Sequence, residues 1–143
     1  MLAKRFADRV TLASVTTAAG AIAAGASDAV HLPGMVNGIA FELDLAAAAT
    51  DAGDTLDVYV QTTLDGTNWI DVVHFTQCVG NGGAKRHIAK VLAGAAENMF
   101  EGSAALAAGS VRNLLGDRWR VKYVQVDADE DGTFTFAVYA VPM

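Results

Sequence analysis

The feature that most constrains this chain is a two-residue alternation of apolar and polar side chains that recurs without helix-length segments between the runs. DTLDVYVQTTL puts Leu56, Val58, Val60 and Thr62 on one face, with Asp57, Tyr59 and Gln61 on the other. RWRVKYVQV opposes Trp119, Val121 and Tyr123 to Arg118, Arg120 and Lys122. TFTFAVYAV and IAFELDL repeat the pattern, with Phe134, Phe136 and Val138 inward in one and Ile39, Phe41, Leu43 and Leu45 in the other. Period two is the signature of a half-buried strand. Weaker candidates at 10–15, 27–32, 69–77 and 86–92 bring the count to about eight strands. Parallel neighbours need long crossovers, and none separates these runs. The expected fold is therefore all-β, an antiparallel two-sheet sandwich or jelly roll.

Asp65-Gly66 and Asp131-Gly132 each lie between alternating runs, and Gly supplies the positive φ that tight turns require. Asp65, Gly66 and Trp69 read as one structural turn, with Trp69 an anchor on the return strand facing the core. Two stretches, 16–27 and 93–110, are rich in Ala and Gly and show neither period. Residues 1–30 are expected to be an N-terminal arm and 93–110 a long loop, both ordered against neighbouring subunits.

At 143 residues the chain suits a single domain, long enough to bury about two thirds of its unfolded surface. Its 52% hydrophobic share is inflated by 28 alanines, and charged residues reach only 18%. A surface poor in charge suits a protein that covers itself with neighbours. The net charge of −6 argues against nucleic-acid binding. Lys4, Arg5 and Arg9 precede an uncharged stretch, but Asp8 interrupts the basic region, and Thr, Ser and Gly dilute the uncharged stretch itself. Neither a signal peptide nor a membrane span is expected. Cys78 stands alone and reads as a buried, inert thiol.

DADEDG, residues 127–132, is the sharpest local motif. Asp127, Asp129 and Asp131 followed by Gly132 match the opening of an EF-hand calcium loop, yet the twelfth position is Val138 and the flanks read as strands. An acidic hairpin turn is the expectation, with those three aspartates a weak metal candidate. The stripe Arg118, Arg120 and Lys122 suggests charge pairing with that acidic turn, or contact between subunits. His31, His74 and His87 show no zinc spacing, VGNGGAK lacks a phosphate-loop ending, and no nucleophile elbow occurs. No enzyme and no cofactor are expected. A sugar-binding module using Tyr59, Trp69 and Tyr139 as a stacking platform is the rival.

TLDVYVQTTLDGTNWIDVVHF resembles a pattern in small virion proteins of tailed bacteriophages, where T-L-D-V-x-V-Q leads into S/T-x-D-G-x-x-W and a second strand. LLGDRWRVKYVQVDADEDGTFTFAVYAV is similar to their pattern of G-D-x-x-R-V, a strand, an acidic turn and a closing strand. Together the two cover about half the chain. The resemblance implies a non-enzymatic capsid decoration or cement protein, assembled in the host cytoplasm and located on the virion. Its implied partners are the major capsid protein and copies of itself, as a trimer or another cyclic homo-oligomer. The alternative is a carbohydrate- or receptor-binding module of a phage tail or baseplate.

Overall fold

The computed structural model describes residues 9–32, 37–95 and 99–143. These residues contain no helix and form two antiparallel sheets. The strands are β1 (Val10–Thr16), β2 (Ile22–Ala26), β3 (Gly38–Ala47), β4 (Thr55–Thr63), β5 (Trp69–His74), β6 (Cys78–Val79), β7 (Lys85–Leu92), β8 (Ser110–Val111), β9 (Arg118–Val126) and β10 (Thr135–Pro142). One sheet has the order β1-β10-β3-β7. The other has β2-β9-β4-β5-β8, with β6 also pairing β4. Among the long strands, every connection except β4–β5 crosses from one sheet to the other. That winding is a jelly roll.

The alternating runs become β3, β4, β9 and β10, the central strands of both sheets. Their inward residues fill the space between the sheets. Phe41 meets Trp119 with ring centroids 5.3 Å apart, and Tyr123 meets Phe136 edge-on at 5.6 Å. Tilted and edge-on arrangements match ring quadrupoles better than face-to-face stacking. In β5 the register slips between Val60↔Val73 and Gln61↔Asp71, leaving Val72 as a bulge. At the bulge the adjacent residues Val72 and Val73 are both buried in the core.

The N-terminal region differs from the expected arm. From Val10 to Ala26 it forms two edge strands, β1 beside β10 and β2 beside β9. Gly25 has to be small, because a Cβ there would press into the Tyr123 ring opposite it. The strand expected at 27–32 reduces to a single bridge between Val30 and Trp119. The described part of 93–110 is held by its own chain. The Leu106 carbonyl bonds the His74 ring at 2.7 Å, the Gly109 N–H donates to the His74 carbonyl, and Gly102 lies against Ile70. Residues 1–8 of the expected arm and 96–98 of the expected loop lie outside the described residues.

Candidate functional site: two acidic loops and one outer face

The β4–β5 turn is organised by Asp65. Its carboxylate accepts from the backbone N–H groups of Thr67 and Asn68, both at 2.8 Å, and from the Asn68 amide at 2.6 Å. The N–H groups of Asn68 and Thr67 hold this carboxyl well below the usual carboxylate range. Gly66 has φ +80°, and the Arg118 guanidinium occupies the space where a Cβ would stand. Every acceptor here has its donors, so the turn is architecture.

Trp69 does not face the core. It pairs with Thr63 on the outward side of β4, and the Arg120 guanidinium lies 4.3 Å above its ring. The tryptophan of the interior is Trp119, which is 2% exposed. The bulge at Val72 lies on the C-terminal side of Trp69, so alternation read backward from Val73 assigns Trp69 to the wrong face.

The basic stripe also finds partners other than those expected. Arg120 Nε donates to Gln61 Oε1 at 2.8 Å, and Gln61 Nε2 donates to Asp71 Oδ1 at 2.7 Å. Lys122 sits 4.7 Å from the Tyr59 ring, and Arg118 pairs with Asp117 at 3.2 Å. None of the three reaches the 127–132 turn, because that turn lies beyond the far end of β9. His74 stacks on Tyr59, with its ring nitrogens bonded to Asp57 Oδ1 at 2.8 Å and to the Leu106 carbonyl. Neither nitrogen is left to act on a third group. The faces of Tyr59, Trp69 and Tyr139 each lie under a cation, Arg9 in the last case. Cys78 is buried, which pushes its thiol up to about 11 and keeps it protonated.

The end of the same outer face is apolar. Ile22 pairs with Val126, Val126 with Thr55, and Thr55 with Val79, a row across β2, β9, β4 and β6. Ile22 is 71% exposed, and Val126 and Val79 are each 45% exposed. A groove of about 440 Å³ opens at the edge of the sandwich, between β7 and β8, with His74, His87, Lys90 and Asn113 among its walls.

The 127–132 motif divides into two roles. Asp127 is buried, and its carboxylate accepts the N–H groups of Asp129, Glu130 and Gly132. Burial alone would raise it, but the N–H groups of Gly132 and Glu130 hold it below the ordinary range. Gln125 fixes the loop from beneath, donating to the carbonyls of Gly132 and Ala18 and accepting from the Thr17 hydroxyl. Asp129 and Asp131 point instead toward Asp51 and Asp54 of the β3–β4 loop. One carboxylate oxygen from each of these four lies within 4.8 Å of the others. Among the described residues no Lys, Arg or His forms an ion pair with them. Burial, then the charge of Asp127, raises Asp54, and Asp129 is pushed up to about 7 by the neighbouring carboxyls of Asp127 and Asp51.

Asp51 and Asp54 are the residues that sequence reasoning missed. They belong to DAGD, a turn with no motif of its own, far along the chain from Asp129. No family model, curated protein or solved structure matches the chain.

Proposed function

We propose that the chain is a non-enzymatic structural protein of a tailed-phage virion, a head decoration or cement protein that binds the major capsid lattice. The observation that carries this reading is the row Ile22, Val126 and Val79, exposed at one end of the outer face. Exposed apolar side chains grouped on one face suit contact with a partner, here with Thr55 between Val126 and Val79. The segments resembling virion proteins agree with it, since they form β4, β5, β9 and β10. Jelly rolls occur among viral capsid domains and among lectins, so topology alone does not choose between those uses. The covered faces of Tyr59, Trp69 and Tyr139 favour the capsid reading over sugar stacking. In this account copies of the chain sit around a symmetry axis of the head and gain stability from their neighbours.

Mass spectrometry of washed virions tests this. The expected result is a copy number in fixed proportion to the major capsid protein, and faster heat inactivation of particles that lack the chain. Joint Ile22→Asp and Val126→Asp substitution should abolish particle binding while leaving the isolated domain folded. Absence from washed particles, or a dozen copies or fewer, would contradict head decoration.

A further inference from the structure

We propose that Asp51, Asp54, Asp129 and Asp131 form a calcium site that ties together the two loops crossing between the sheets at one end of the sandwich. The inference goes beyond the surface-contact reading and does not rest on it.

The topology places the loops first. β3 and β10 are neighbours in one sheet, and β4 and β9 are neighbours in the other. The pairs Ala47↔Thr135 and Thr55↔Val126 bring the end of β3 beside the start of β10, and the start of β4 beside the end of β9. The β3–β4 and β9–β10 connections therefore run side by side across the same end of the molecule. Each carries two of the four carboxylates.

Asp54 shows that the cluster is built for a ligand. It is 2% exposed, and its Oδ2 accepts no hydrogen bond. That oxygen faces the opposite loop closely enough that a Cβ on Gly132 would press into it. A buried carboxylate oxygen without a protein donor is costly, and three more carboxylates around it add repulsion. A cation at the centre removes both penalties. The β3–β4 loop is braced in this position from behind: Gly80 donates to the Asp54 carbonyl at 2.8 Å, and Asn81 to the Ala49 carbonyl.

The donor set selects the ion. It is all oxygen, with no His or Cys, which suits a hard cation rather than zinc or copper. Oxygens on opposite sides of calcium stand about 4.6–5.2 Å apart, and those around magnesium about 4.0–4.2 Å. All four oxygens lie within 4.8 Å of one another, close enough to share one ion, and four converging carboxylates suit calcium, since magnesium keeps several waters and is usually held by one or two carboxylates. Asp127 is a positioning residue, since its oxygens hold the loop N–H groups that aim Asp129 and Asp131.

The test uses the full chain stripped with chelator, with calcium chloride as titrant in calorimetry and in thermal unfolding. The expected result is saturable one-to-one binding and a rise in Tm that magnesium chloride at equal ionic strength does not reproduce. Asp54→Asn should weaken calcium binding at least about tenfold. Asp51→Asn and Asp131→Asn, both at exposed positions, should do the same without disturbing the fold. Asp117→Asn, outside the cluster, should leave binding unchanged. No saturable binding up to about 10 mM calcium, tenfold above the weakest natural sites, would overturn the proposal. So would equal binding by the wild type, Asp51→Asn and Asp54→Asn.

Discussion

The β4–β5 turn and the β9–β10 loop both look like acidic turns between alternating strands, and they behave as opposites. In the first, Asp65 meets backbone and amide N–H donors from Thr67 and Asn68. In the second, Asp127 meets such donors, but Asp129 and Asp131 face two more carboxylates across a gap. The lesson is that an aspartate beside a glycine has no fixed meaning. What decides is whether the fold delivers donors or further acceptors to the carboxylate.

The comparison breaks most severely at Asp127. Asp127→Ala leaves three loop N–H groups without their acceptor, that of Gly132 buried and those of Asp129 and Glu130 part-buried, and should cost more stability than any other single change in either loop. Urea midpoints for Asp127→Ala and Asp65→Ala, measured side by side, check the ranking. Gly132→Ala comes next. Its Cβ would meet Ala49 and the carboxylates of Asp54 and Asp127, so the loops must part, at a cost of about 1–3 kcal/mol. Gly66→Ala should cost about 1–2 kcal/mol from its positive φ. Only the mobile end of Arg118 has to move there, so calcium binding should be unchanged, unlike in Gly132→Ala.

The smallest effect is expected in acid. Asp65 has a folded-state pKa below its unfolded value, so its contribution is complete above about pH 4 and is lost as pH falls further. Asp65→Asn should flatten that limb of the stability curve between about pH 4 and pH 2. An unchanged acid limb would show that the turn gains nothing from the ionised carboxylate.

The alternating runs were legible because Leu, Val, Ile and Phe differ sharply from Asp, Lys and Arg, and the difference maps directly onto β3, β4, β9 and β10. In β2 the same alternation is written in Ala and Gly, which contrast too little in hydropathy to register. Its Gly25 answers to Tyr123 on the neighbouring strand, a constraint visible only in three dimensions. Alternation alone assigns Trp69 to the wrong face because a bulge carries no sequence mark. The acidic cluster was half legible: Asp129 and Asp131 belong to a motif, whereas Asp51 and Asp54 join them only because a jelly roll lays two inter-sheet crossings side by side.

A crystal structure grown with calcium, with anomalous differences recorded, tests the central contrast between the loops most directly. The account predicts one peak among Asp51, Asp54, Asp129 and Asp131, with oxygens at about 2.3–2.6 Å and none near Asp65. An empty cluster in which Asp54 Oδ2 is bonded to a protein donor would contradict it.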